Sequence, residues 1–532
     1  MKKINKKVII LTVVIMLLAF CAILLINKKN SKKIVLEGGD HFFAENLVVK
    51  KGETLFIMPG ARLNFEKNKL ILVEGKIIAK GTKEKPIIFK SSGNYFWRGV
   101  KIKNSGAIPD PQEYWKWFMG EDAEKEKYFF EQIKNANVFT YCHFSDISNE
   151  ENKLTYDSRW IGAIEAYDTS LLISNSVFNN INYLGGIVTR GSYSVIKENE
   201  FLSNQLHKQI NSTNNSVSLI YKNKIAPGRK ENQGCADGIW LVNSAAIIHE
   251  NYIEGVADDG IQVNKSYAVI VKNSISQTFN DGIEADSDGN YIILNNKIDY
   301  AKDNGVLIDE ASAIIMNNEI KNSDTGLTLR NGSTVLATSL VAENNNTGIL
   351  IFDSIPCALN EKEFLKVKND ILNFPENIYC SRICPDNICL PDSVSLTGPE
   401  LVEILESHYA KNEDGQYIYV YKENYVDNAT KGIFQKRTDI LSLNPLITDK
   451  IKEENPFCFG LNNSLFLENS EFTNNRIEKN IFNDFNAKIE EKLNNYQCKT
   501  KVQDYLCDFK DEKNVDALKN HLDSVLKKSS KL

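Results

Sequence analysis

A glycine followed by Ile, Val or Leu returns at Gly238, Gly260, Gly282, Gly305, Gly326 and Gly348, at spacings of 22, 22, 23, 21 and 22 residues. A second mark runs through the same stretch, an Asn two residues before an apolar residue, at Asn199, Asn223, Asn251, Asn273, Asn296 and Asn318. Two independent marks recurring together define a repeat unit. Within each unit the apolar residues alternate in short runs, as at Ile261 and Val263. Period two is the period of a strand, and the β-branched content excludes paired helices. Three short strands per unit predict one coil of a parallel β-helix, with successive coils stacked about 4.8 Å apart. Such a solenoid grows by adding coils, so a length of 532 residues does not translate into a domain count. The Asn column reads as a ladder of side-chain amides, and the glycine as the point where the backbone turns sharply.

The stretch "GETLFIMPGARLNFEKNKLILVEGKIIAKGTKEKPIIFKSS" alternates in the same way and bends at Gly and Pro. With Trp97-Arg98-Gly99 after it, it resembles the opening coils of the right-handed parallel β-helix repeat family (the pectate-lyase-like superfold). The resemblance covers roughly residues 45–352. It implies a right-handed all-β solenoid, and it leaves function open among lyases, hydrolases, epimerases, adhesins and binding proteins.

Three parts are expected. Residues 1–33 hold a cytoplasmic tip and a membrane anchor: Val8 to Ile26 is a 19-residue apolar run flanked by lysines on both sides. It spans about 28 Å as a helix, close to the bilayer core. This predicts an N-terminal transmembrane helix, single-pass localisation in the cell membrane and an extracytoplasmic main domain. Residues 34–355 form the β-helix, interrupted at about 106–137 by a helical insert that Asp110 caps and Pro111 opens. Residues 356–532 form a mixed, mostly α-helical, cysteine-containing module. The helical spacing of Ile481, Phe485, Ile489 and Leu493, and of Val515, Leu518, Leu522 and Val525, supports it. This module is expected to cap the open end of the solenoid. Six of the ten cysteines lie after residue 375, without a nearby His, which points to disulfides rather than zinc.

Aligned on the glycines, the preceding column reads Asp237, Asp259, Asp281, Asn304, Thr325 and Thr347, and Asp258 stands one place earlier. After the glycine the apolar residues point inward. Trp240, Gln262 and Glu284 then point outward, followed by Asp286, Asp309 and Arg330. Carboxylates stacked about 5 Å apart repel one another unless protons, solvent or cations intervene. Three readings stay open. Asp-Gly is turn chemistry, and Asn304 and Thr325 do the same capping without charge. Alternatively, Asp258, Asp259, Asp281 and Glu284 offer hard oxygens to a calcium ion. The third reading is catalytic. "ADGIW" followed 22 residues later by "ADDGIQV" resembles the two aspartate motifs of polygalacturonase-like glycoside hydrolases. That resemblance implies that Asp237, Asp258 and Asp259 carry out acid–base hydrolysis with inversion. The next two coils read "NDGIEAD" and "DNGVLID", where that family has Gly-His-Gly and Arg-x-Lys.

A net charge of −6 is too mild, and of the wrong sign, for a nucleic-acid partner. The sequence favours a membrane-anchored surface protein that binds carbohydrate or a cell-envelope partner, with Trp240, Gln262, Glu284, Asp286 and Arg330 contacting it. The alternative is a polysaccharide-degrading hydrolase or lyase that uses the aspartates.

Overall fold

The computed structural model describes residues 32–352 except 105, 107, 149–161, 183–184, 203–207, 228–235, 288 and 331–332. Beyond these it describes 358–359, 365, 409–411, 417–419, 464–468, 470–482, 488–490 and 512–531. Three parallel sheets of 14, 13 and 13 strands form the walls of a solenoid. Before Thr334–Thr338, each strand pairs with the third strand after it, its counterpart one coil on. In the third sheet Ile239–Val242 pairs with Ile261–Asn264, which pairs with Ile283–Asp286. Like residues therefore stand above like. In the bore Phe89, Phe144, Phe178 and Phe201 stack ring on ring at 4.7, 5.0 and 4.9 Å. Each buried ring of this kind contributes roughly 1.5–3 kcal/mol by leaving water.

The two marks of the repeat have physical causes that differ in part from those expected. The Asn ladder is continuous: Asn251 donates from its backbone N–H and its side-chain Nδ2 to Asn273 Oδ1, at 2.9 and 3.0 Å. Asn273 donates in the same way to Asn296. The left-handed conformation, however, belongs to the residue before each Asn: Glu198, Lys222, Glu250, Lys272, Asn295 and Asn317. The glycines are required by crowding rather than by a sharp turn. A Cβ on Gly260 would stand 2.5 Å from Ile275 Cγ2 and 2.6 Å from the carbonyl oxygen of Gly282.

Two helices interrupt the coils, α1 (Pro111–Phe118) and α2 (Ala123–Lys134). Asp110 caps α1 by accepting from the Gln112 N–H, and Asp122 caps α2 by accepting from Glu124 and Lys125. A third helix, α3, spans Glu512–Ser530. All three pack on the outer side of the first sheet, which is apolar there. Trp117, Phe129, Val515, Leu518, Leu522 and Val525 share one buried cluster with Leu219, Ile247, Val269 and Ile292. Lys197 Nζ donates to Ser529 O at 3.1 Å, and Lys528 pairs with Glu126. Thus α3 lies along a side wall. Leu522→Asp would place a charge in this cluster and is expected to cost about 3 kcal/mol. Limited proteolysis reads the loss as faster cleavage within α3, and unchanged cleavage would contradict the packing.

Among its described residues, the C-terminal module expected to be mostly helical holds strands besides α3. Ser464–Glu468 pairs in parallel with Thr334–Thr338, Glu471–Thr473 with Val341–Glu343, and Ile477–Phe482 with Thr347–Phe352. The chain leaves the solenoid after residue 352 and returns to add a coil. Ile481 and Ile489 lie in strands, because pairing with an existing sheet outweighs a local helical spacing. A small antiparallel sheet joins Ala358–Leu359, Tyr417–Tyr419 and Tyr409–Lys411.

The transmembrane helix and the single-pass membrane localisation are also corrected. Among the described residues no helix is long and apolar enough to cross a membrane. The run 8–26 on which that reading rested lies outside the described residues, as do all cysteines after residue 375. The structure is all β in its body, with three flanking helices among the described residues.

Candidate active site

The outer side of the third sheet carries the acids, and strand register sets their order. Trp240 stands beside Gln262, Gln262 beside Glu284, and Glu284 beside Leu307. Two places further along the strands, Asn264 stands beside Asp286, then Asp309, then Arg330. Asp237, Asp259 and Asp281 occupy the strand entries, each just before its glycine.

Two of these entry aspartates are held by the next coil. Asp259 Oδ1 accepts from the Asp281 N–H and from Asn280 Nδ2, both at 2.9 Å. Asp281 Oδ1 accepts from the Asn304 N–H at 2.8 Å and from its Nδ2 at 2.7 Å. That is turn chemistry passed from coil to coil. Asp237 breaks the pattern. Its Oδ2 accepts from Lys208 Nζ at 2.5 Å, and its buried Oδ1 has no hydrogen-bond partner among the described residues. Lys208 Nζ also lies 4.3 Å from the centre of the Trp240 ring, a cation–π contact.

One oxygen from each of Asp237, Asp258 and Asp259 lies within 4.8 Å of the others, and the same holds for Asp259, Asp281 and Glu284. Asp259 belongs to both groups, and both could hold a metal ion. Asp258 is partly exposed, while Asp237 and Asp259 are buried. Gln262 Nε2 donates to Glu284 Oε2 at 2.5 Å. Asp286 is set apart, accepting from Ser287 Oγ and Asn264 Nδ2. Arg330 pairs with Asp309 at 2.8 Å and lies 3.8 Å from Glu284. Trp240 is 1 % exposed. It lies beneath Lys208 and is not an exposed edge residue.

Burial raises the Asp258 carboxyl well above the ordinary carboxylate range, the nearby Asp237 adds to this, and Lys208 opposes it. Asp259 is raised by burial and then by Asp258, and Asp281 by burial and then by Asp303. Glu284 is raised by burial and by Asp286, with Arg330 opposing. These groups hold protons in the fold that the unfolded chain releases. Their contribution to stability is complete below the ordinary carboxyl range and is lost as pH rises through the raised values. Asp281→Asn keeps the Oδ1 acceptor and removes the charge. Its melting temperature is expected to exceed the parent's at pH about 7 and to match it at pH about 4. Equal differences at both pH values would mean that the carboxylates do not repel.

Sequence reasoning missed Lys208. It stands 29 residues before Asp237, where the coil is lengthened and the regular alignment fails. A lysine just before the strand Ile210–Thr213, one coil below an Asp-Gly, was the available signal.

The model of a right-handed β-helix region matches residues 131–298 and 259–374. Over residues 131–374 the chain is a right-handed β-helix. No curated protein matches it. The solved structures similar to this β-helix protein include a periplasmic alginate epimerase, AlgG, at 11% identity and a TM-score of 0.38, with 85% of this chain and 76% of that one covered. They also include the A-module of the mannuronan C-5 epimerase AlgE6 of Azotobacter vinelandii, at 13% identity, a TM-score of 0.29, and 61% and 87% covered. An exopolygalacturonase of Thermotoga maritima aligns at 10% identity, a TM-score of 0.23, and 62% and 84% covered. At these identities the likenesses assign neither a reaction nor a substrate to this β-helix protein.

Proposed function

We propose that this β-helix protein hydrolyses glycosidic bonds of a polysaccharide at Asp237, Asp258 and Asp259. The observation that carries the reading is the unequal treatment of adjacent carboxyls. Lys208 pairs with Asp237, while burial and Asp237 itself raise Asp258. Two carboxyls whose environments differ in this way are suited to opposite roles. Asp258, partly exposed and protonated, donates its proton to the glycosidic oxygen as the bond to the anomeric carbon breaks. Asp237, paired with the Lys208 ammonium, takes the proton of the attacking water at its Oδ1, which no described residue hydrogen-bonds. Asp259 is fixed by Asn280 and Asp281, beside the other two acids.

The test is incubation of the full chain with acidic and neutral polysaccharides while reducing ends and the absorbance of unsaturated uronate are followed. Hydrolysis gives new reducing ends without that absorbance. Absorbance means elimination and overturns the reading, as does silence on both.

A cation is the second reading, favoured by Gln262, whose Oε1 is buried between Trp240 and Glu284 and has no hydrogen-bond partner among the described residues. Carboxylates with an amide oxygen are the hard donor set that calcium takes. A rise in melting temperature on adding calcium, reversed by chelator and absent in Glu284→Gln, supports it. No rise in the parent rejects it.

A further inference from the structure

The outer side of the third sheet does not begin with acids. Three coils before Asp237, Tyr167 is surrounded by cations. Lys101 Nζ lies 5.2 Å from the centre of its ring, Lys103 Nζ 5.8 Å and Arg190 Cζ 5.4 Å. The register explains the convergence, because Lys103 stands beside Tyr167 and Tyr167 beside Arg190. The opposing acids are Glu165 and, at the corner, Asp168. Glu165 accepts from the Tyr167 hydroxyl at 2.7 Å and pairs with Lys101 at 3.3 Å, so the ring and one cation are fixed in advance. Tyr167, Lys101 and Arg190 are partly exposed and Lys103 is exposed.

The two outward columns run unbroken from this patch to the acids. Lys103, Tyr167, Arg190, Thr213, Val242 and Asn264 form one of them. Arg190 is two coils, about 10 Å, from the strand of Trp240. Each coil advances by close to the length of one sugar unit, so a polysaccharide laid along the sheet meets a new pair of outward side chains at each residue.

We propose that Lys101, Lys103, Tyr167 and Arg190 bind an acidic polysaccharide, one carrying carboxylate or sulfate groups, and lead it toward Asp258. Tyr167 stacks on a sugar ring, and the three cations meet its anions. The binding site stands on its own residues, and the direction toward Asp258 rests on the hydrolase reading. The patch also answers an electrostatic need. The acid cluster offers a polyanion no net attraction, so a cationic anchor at a distance is what would hold such a chain there.

The experiment measures binding by the full chain carrying Asp258→Asn, which removes cutting. The probes are oligogalacturonate, dextran sulfate, neutral dextran and a polythymidylate strand. Binding of one or both charged glycans is expected, weakening as salt rises. Which of the two binds identifies the anionic group. Lys103→Glu, on an exposed side chain, and Tyr167→Ala should each raise the Kd at least tenfold, and dextran should not bind. Unchanged affinity in both variants overturns the proposal. So does equally tight binding of polythymidylate, which would mean charge alone. If the parent cuts neutral glycans only and Lys103→Glu keeps its KM, the binding site fails and the hydrolase stands. If charged glycans bind through the patch and none is cut, the hydrolase fails and the binding site stands.

Discussion

Asp258→Asn is expected to lower kcat for polysaccharide hydrolysis by about 10²–10⁴-fold, the usual worth of a positioned proton donor. The side chain keeps its shape and loses only the acid. Melting temperature at neutral pH should hold or rise, since Asp258 is crowded by Asp237, Glu284 and Asp281. Activity lost together with stability would point to a structural role. Asp237→Asn should fall as far, and it leaves the Lys208 ammonium buried without its carboxylate partner. The two losses should not add, because one bond-breaking step needs both groups. Lys208→Met tests the same logic from the other side. The ammonium opposes the rise of the Asp258 carboxyl, so without it that carboxyl rises further and the pH profile of kcat/KM should shift upward. A profile that stays in place would remove Lys208 from the mechanism.

The largest expected loss of stability belongs to the ladder, far from any chemistry. Asn273→Ala removes the acceptor for the Asn251 backbone N–H and the donor to the Ile248 carbonyl. Both groups stay buried, and each unmade hydrogen bond costs about 1–3 kcal/mol. The total is expected at about 3–5 kcal/mol, measured by chemical denaturation. Lys272→Ala, one residue earlier, changes an exposed side chain in the left-handed position, and removing it should cost less than Asn273→Ala. Equal losses at 272 and 273 would mean that the turn, not the amide ladder, holds the coils together.

The fold was largely legible because a solenoid repeats its instructions. The Asn column and the inward residues Ile239, Ile261 and Ile283 recur at one period, and the structure stacks them. Legibility ended where the repeat did. The return of the chain at Ser464–Glu468 could not be read, because the pairing partner lies 130 residues back, at Thr334–Thr338. The acids were legible as a column but not as unequal partners. The difference between Asp237 and Asp259 is made by Lys208 and by the N–H of Asp281, one from a lengthened coil and the other from the backbone. Tyr167 and its cations gave no signal, since Lys101 and Arg190 are brought together only by stacking.

The position of α3 also dictates an order of events during synthesis. Coils can stack as the chain emerges, each on the one before. The apolar outer wall at Leu219, Ile247, Val269 and Ile292 is therefore built early. Its cover includes Leu518, Leu522 and Val525, which are made long after it. Until α3 is made, the nascent rod carries a sticky stripe along one side, the kind of surface that chaperones hold and that drives aggregation. A chain stopped before residue 512 keeps that stripe for good, so α3 acts as a seal, separating molecules whose wall is closed from those whose wall is open.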